Sequence, residues 1–342
     1  MFHKPPSTRL PSAAAFSQTE CRGDVPLFFA SGDLADAFYT LGLPPGLAEL
    51  FTLPEVCASD VGVISLDGVE IPRSTPLLPY LTVLPMGWSW ALHLCQLVMN
   101  HAITTSGILP HFQIADKQAP VCLQKIDDIA AAGYVDNYLV CGHNKLLVQQ
   151  QADGVAATLR GWGLSVHEEE KAGTQIEFTG LLLNGVSKRV SIKTSRLLKL
   201  RAALHELLHR NHCTGRMLEV LLGHLTWAML CRREGLAVLS ASYQFAHSNT
   251  DTLSRLWPSV RRELKQLCAL LPLFSSNLAA SWSSLVTCSD ASPFGVGVCY
   301  RRAHAHETGH LGRLNERWRF RSETATKARS HAFASGVDGC EH

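Results

Sequence analysis

Residues 133–140, GYVDNYLV, set an Asp-Asn pair between two apolar runs. Asn and Asp tolerate the positive φ angles of a type I′ turn, so the pattern predicts a tight β-hairpin over these residues. Its flanks, Tyr134-Val135 and Tyr138-Leu139-Val140, are apolar enough to lie within a core. Asp136 therefore carries a carboxylate into apolar surroundings, where such a group needs a hydrogen-bonding or cationic partner. The plainer alternative is a solvated turn residue.

A second aspartate ends another apolar run. LFFASGDLADAFYTLGLPP reads as a buried strand reaching Asp33, then Leu34, Ala37, Phe38 and Leu41 at near-helical spacing, stopped by Pro44-Pro45. VGVISLDGVEIP predicts a hairpin on an Asp-Gly turn. LPMGWSWALHLCQLVMNHAI predicts a Pro-x-Gly turn, an N-cap at Ser89 and a long helix. LLVQQQADGVAATLRGWGLSV reads as a helix ended by glycines, and TQIEFTGLLLNGVSKRVSI as strand, turn and strand. From about residue 194 the pattern becomes helical: RLLKLRAALHELLHR and GRMLEVLLGHLTWAMLCRREG joined by NHCT, then a helix over 253–271. SSLVTCSDASPFGVGVCY returns to β character before an Arg-rich end. The division expected is a loose tail (1–24), a mixed α/β body (25–190), a helical segment (191–280) and a small β-containing end (281–342).

If the strands bearing Asp33 and Asp136 are neighbours in one sheet, their carboxylates converge on one edge. Two ionised carboxylates in contact repel, and a cation between them relieves the repulsion. Mg²⁺ fits: it takes one or two protein carboxylates at about 2.0–2.1 Å and fills its octahedron with phosphate and water oxygens. Two such ions roughly 3.5–4 Å apart can activate a 3′-hydroxyl and stabilise a pyrophosphate leaving group. On spacing alone, two unrelated turn aspartates remain the alternative. Asp127-Asp128 in LQKIDDIA is a rival acidic pair that reads as a surface turn.

Taken in order, five segments resemble the palm of retroelement reverse transcriptases, the RNA-directed DNA polymerases. SGDLADAFYTLGLP resembles the first catalytic motif and LTVLPMGWSWALHLCQ the second; AAGYVDNYLVCG resembles the Tyr-x-Asp-Asp hairpin. LRGWGLSVHEEEKAG and IEFTGLLLNG resemble the two palm motifs that follow, the latter a primer-gripping hairpin. The resemblance covers roughly residues 25–190. It implies an α+β fold: a palm with an antiparallel sheet packed on helices, a helical thumb and connection, and a partial ribonuclease H-like α/β unit. It implies Asp33 and Asp136 as ligands of two Mg²⁺ or Mn²⁺ ions, with Asn137 where the family usually carries a second Asp. Phe38 would lie beneath the sugar and exclude a 2′-hydroxyl. Met86 and Gly87 would flank the incoming nucleotide, Met86 standing where many relatives have Gln. Tyr134 would brace the hairpin near the primer end, and Lys171 would approach the triphosphate. Asp290 in CSDASPFGVGV would be a remnant first metal ligand of a ribonuclease H-like unit, with Glu316 or Glu323 as candidates for a second; the chain ends 52 residues after Asp290. The implied partners are an RNA or DNA template-primer duplex and deoxynucleoside triphosphates. Only 32 residues precede Asp33, whereas the family has a larger fingers region there, so an inactive remnant that binds nucleic acid stays open.

Charge and composition bear on these alternatives. Asp24–Tyr80 holds eight acidic residues against Arg73 alone, whereas Lys188–Arg233 holds ten Lys or Arg against Glu206 and Glu219. The first region suits cations and the second a polyanion such as a duplex held through its phosphates. Solvated faces are the alternative. No apolar run reaches the roughly 18 residues of a membrane span, and MFHKPPSTRLPS has no apolar signal core. Eleven cysteines, none in a CxxC pair, read as reduced thiols, so the expected location is cytoplasmic or nuclear rather than secreted. His205-Glu206-Leu207-Leu208-His209 matches HExxH, which on a helix can bind zinc with Glu as base, leaving a zinc peptidase as a remote alternative.

Overall fold

The apolar runs ending at Asp33 and Asp136 are neighbours. In the computed structural model, which describes residues 3–313 other than Pro293, β2 (Phe28–Leu34) lies between β9 (Asn137–Gly142) and β10 (Val166–Gly173). β8 (Ile129–Tyr134) completes an antiparallel sheet in the order β10-β2-β9-β8. Both faces of β2, β8 and β9 are covered, which is why these strands read as largely apolar runs rather than alternating ones, whereas the edge strand β10 is mostly exposed. On one face Ala30, Ala131, Tyr138 and Val140 pack against α4 (Ser89–Thr105) and α5 (Lys145–Gly161), meeting Met99, Ile103, Val148 and Val155. On the other, Phe29, Ala130, Ala132, Leu139 and Cys141 join a second core that extends into the helical segment. Alanines in β8 let α4 approach closely; a Cβ on Gly133 would stand 2.7 Å from the Met99 side chain. Asn144 caps α5 with its side chain, whereas α4 begins at Ser89 itself behind an uncapped Trp88, not with Ser89 as the cap.

The stretch expected as a loose tail is packed in part. Ser12 caps α1 (Ala13–Ser17), burying Ala13 and Phe16, and the Phe16 ring meets Phe178 edge-on at 5.9 Å. β1 (Glu20–Cys21) then pairs in parallel with β7 (Cys122–Leu123). Residues 37–77 carry α2 (Ala37–Thr40), α3 (Pro45–Ala48) and two short ribbons, β3 (Val56–Cys57) with β6 (Pro76–Leu77) and β4 (Ser65–Leu66) with β5 (Val69–Glu70). The Asp-Gly turn is as expected: Asp67 and Gly68 both have positive φ.

The segment read as strand, turn and strand holds one strand more. β11 (Gln175–Phe178), β12 (Leu181–Asn184) and β13 (Arg189–Ile192) are consecutive, and β16 (Ser275–Asn277) pairs with β13. Thr179 and Gly180, both with positive φ, make the extra turn. The helical segment comprises α6 (Thr194–Arg210), α7 (Gly215–Met229), α8 (Ser240–Ser248) and α9 (Pro258–Leu270), around Leu204, Leu218, Leu225, Phe245, Val260 and Leu264. The NHCT link is more than a turn: Asn211 ends α6 in the left-handed region, and β14 (His212–Cys213) pairs with β15 (Ser254–Arg255). Beyond it, β17 (Leu285–Ser292) and β18 (Gly295–Arg302) form an exposed hairpin followed by α10 (Ala305–Arg313). Arg313 donates two hydrogen bonds to Glu20, at 2.9 and 2.8 Å, tying this end to β1. Glu316 and Glu323 lie outside the described residues. Among the described residues no helix is long and apolar enough to cross a membrane.

Candidate active site

The turn bearing Asp136 falls one residue earlier than expected. Tyr134 pairs with Asn137, so the two turn residues are Val135 and Asp136, and the positive φ (57°) belongs to Val135. A β-branched residue in the left-handed region costs roughly 1–2 kcal/mol, a cost persisting only where the surroundings fix the conformation. They do so through Gln96 of α4, only 2% exposed. Its Oε1 accepts from the Val135 N–H at 2.7 Å, and its Nε2 donates to the Gly133 carbonyl and to Asn100 Oδ1, each at 2.8 Å. Val135 is itself buried. Tertiary contacts thus outweigh the local preference for Asp-Asn at the turn.

The β2–β9 ladder brings the two aspartates to one end of the sheet. Asp33 is opposite Asn137, and the Leu34 N–H donates to the Asp136 carbonyl at 2.9 Å. Burial raises the Asp33 pKa, and the nearby Asp136 charge raises it further. Asp33 Oδ1 is buried and has no hydrogen-bond partner; Oδ2 stands 3.9 Å from His167 Nε2. Asp136 Oδ1 accepts from the Asn137 side-chain amide at 2.9 Å, so Asn137 steadies the neighbouring carboxylate. A buried, unpaired carboxylate oxygen beside a second carboxylate is a donor set that suits a hard divalent cation such as Mg²⁺ or Mn²⁺.

Sequence reasoning missed His167 and Glu168. β10 bulges where it passes Asp33: His167 pairs with Asp33, Glu170 with Ser31, and Glu168 between them has φ 48°. The ligand atoms of Asp33, His167 and Glu168 lie within 4.8 Å of one another. The available signal was the run HEEEK, three consecutive acids in a strand, which a bulge accommodates by adding a residue. Lys171 lies beyond the bulge, opposite the stretch between Ser31 and Phe29. It lines a small cavity of about 160 Å³ with Ser31, Tyr138, Asp153 and Glu169, so the structure does not bring it to the Asp33 end of the ladder.

The other expected site residues take distinct positions. Phe38 is half-buried in α2 against the α4 side of the core. Tyr39 beside it donates its hydroxyl to Met86 Sδ at 3.4 Å, linking the first two motifs across an exposed surface. Gly87 has φ 92° with open space around it, so its glycine is required by backbone conformation rather than by a neighbouring atom. Tyr134 is half-buried and packs against both cores. Asp290 lies on the exposed β17–β18 hairpin, opposite Gly297. Asp128 accepts the Gln124 and Lys125 amides, in keeping with a surface turn. Glu206 bonds Arg210 at 2.6 Å, His205 Nε2 is 3.5 Å from Cys268 Sγ, and no His205–His209 metal grouping forms among the described residues.

No family model and no curated protein matches the chain. Solved structures do. The foamy viral protease-reverse transcriptase dRH in complex with double-stranded DNA is similar at TM-score 0.54 and 13% identity, over 88% of this chain and 44% of that one. The foamy viral protease-reverse transcriptase in complex with an RNA/DNA hybrid is similar at TM-score 0.53 and 12% identity, over 88% of this chain and 34% of that one. The chain thus spans less than half the length of these relatives. At such identity the likeness speaks for architecture alone, and the architecture is a reverse-transcriptase-like α+β fold.

Proposed function

We propose that the chain performs template-directed deoxynucleotidyl transfer, extending a primer on an RNA or DNA template. The observation that carries this reading is the buried, unpaired Asp33 carboxylate oxygen one ladder step from Asp136. Asp33 and Asp136 would hold two Mg²⁺ or Mn²⁺ ions, whose chemistry when bound is to lower the pKa of a 3′-hydroxyl and to neutralise the departing pyrophosphate. Gln96 fixes the tip bearing Asp136, and Asn137 orients its carboxylate. Phe38 bounds the sugar pocket from the α2 side, and the exposed Met86–Gly87 turn borders the incoming deoxynucleoside triphosphate. The groove between α6 and α7 has a mainly apolar lining, and Arg196 and Lys199 among its residues suit the phosphates of the template-primer duplex.

The test is primer extension with Mg²⁺ or Mn²⁺. Asp33→Ala and Asp136→Ala should each abolish incorporation, and Asn137→Asp should raise it. A second reading, nucleic-acid binding without polymerisation, draws on the Asn137 amide that occupies one Asp136 oxygen. Incorporation absent from both the wild type and Asn137→Asp selects that reading over the first.

A further inference from the structure

Beside α9 lies a cleft of about 740 Å³ that neither the aspartate pair nor the α6–α7 groove uses, lined by Arg255, Trp257, Pro258, Arg261, Arg262 and Lys265 among others. Its lining holds four cations and no acid. Arg261 is committed to the fold, donating to the Leu208 carbonyl and to Asn211 Oδ1 at the end of α6. Arg255, Arg262 and Lys265 are exposed and stand in no ion pair among the described residues. The adjacent acid, Glu263, is turned away: its carboxylate accepts the Ala241 and Ser242 amides and the Ser242 hydroxyl, at 2.8, 2.8 and 2.7 Å. Three unpaired cations around one cavity repel each other, and a polyanion relieves that repulsion.

Trp257 supplies the second component. Its ring rests edge-on against Phe245 at 5.3 Å and keeps 36% of the residue open to solvent. An anchored, partly open indole among cations is the arrangement that binds a single strand, with bases stacking on the ring and phosphates meeting the cations. A duplex offers no unstacked base to such a ring. The position fits as well. Arg255 is directly opposite His212 in the β14–β15 ribbon, and opposed side chains share a face. His212 lines the α6–α7 groove, so groove and cleft follow one another on the same side of the helical segment.

We infer that the Arg255–Trp257–Arg262–Lys265 cleft is a binding site for single-stranded nucleic acid. The proposal rests on the polymerase reading only for which strand arrives; the chemistry of the cleft stands apart from it.

Fluorescence anisotropy of the full chain with labelled oligothymidylate, oligouridylate and a duplex tests it, comparing wild type with the triple variant Arg255→Gln, Arg262→Gln, Lys265→Gln. These side chains are exposed, so the fold should persist, checked by the thermal melt. Each phosphate contact to a single strand contributes about 0.7 to the slope of log K against log salt, so the triple variant should lose about 2 in slope and bind roughly tenfold to a hundredfold more weakly at 0.1 M salt. Trp257→Leu should lose about fivefold or more, with Trp257→Phe retaining most of the affinity. The two oligonucleotides report whether the sugar matters. Unchanged affinity and slope in the triple variant overturn the proposal, as does a duplex or polyglutamate competing as well as the single strand. Strand binding that survives in Asp33→Ala, whatever extension shows, keeps this result separate from that of the polymerase reading.

Discussion

Replacing Gln96 with Leu removes the anchor of the Asp136 turn and leaves two backbone groups without their partner. The side chain is nearly fully buried, so water does not replace it. The Val135 N–H loses its acceptor at 2.7 Å and the Gly133 carbonyl loses a donor at 2.8 Å. An orphaned buried polar group costs about 1–3 kcal/mol, so two amount to about 2–6 kcal/mol, tempered by the apolar surface that Leu adds. Losing even the lower figure is large against a domain stability of about 5–15 kcal/mol. Asn100→Ala is the control, since it removes only the side-chain partner of Gln96 and should cost about 1 kcal/mol. Equilibrium urea denaturation followed by circular dichroism measures both, and hydrogen exchange at the Val135 amide reports whether the loss is local. A change below about 0.5 kcal/mol in Gln96→Leu, with exchange at Val135 unaltered, would refute the view that Gln96 holds this turn.

Two glycines separate crowding from backbone conformation. A Cβ on Gly185 would stand 1.7 Å from the Leu27 carbonyl oxygen, so Gly185→Ala should cost several kcal/mol, roughly 3 or more, and lower the melting temperature sharply. Gly87→Ala meets open space at φ 92° and should cost only about 1–2 kcal/mol, so equal melts for the two would count against the close approach of these backbones. Burial pushes the thiols of Cys95, Cys141 and Cys231 up to about 12, so all three should resist iodoacetamide at pH 8 in the folded protein while exposed Cys57, Cys288 and Cys299 react; mass spectrometry of labelled peptides decides. These thiols keep their protons when folded and release them when unfolded. Stability should therefore fall as pH rises from the ordinary value of 9.0 toward about 12, and the urea midpoint of Cys141→Ala should fall less steeply over that range than that of the wild type.

Periodicity carried the long elements. The helices over 89–105, 145–161, 194–210 and 215–229 and the hairpin over 129–142 follow stretches whose apolar spacing, or flanking Gly, Asn and Thr, signals them locally. Asp33 and Asp136 were legible as a pair because each ends an apolar run and strands ending alike can share an edge. What was not legible depends on distant partners. Val135 takes a turn position unfavourable to its own side chain because Gln96, 39 residues away, bonds its amide. His167 faces Asp33 because β10 pairs with β2, a partner 134 residues away, and the bulge just beyond it adds Glu168 beside the pair, while Lys171 lies past the bulge near Ser31. Residues 1–24 look like a tail in composition because they are rich in Pro, Ser and Ala, yet Phe16 finds Phe178 across the chain.

A rod joins two places that a loop would leave independent. Ser89 begins α4 immediately beyond the Met86–Gly87 turn, and Gln96 follows seven residues later, about 10 Å along the axis. The surface turn at Met86 and the Val135 amide beside Asp136 are thus joined through one helix rather than through a loop.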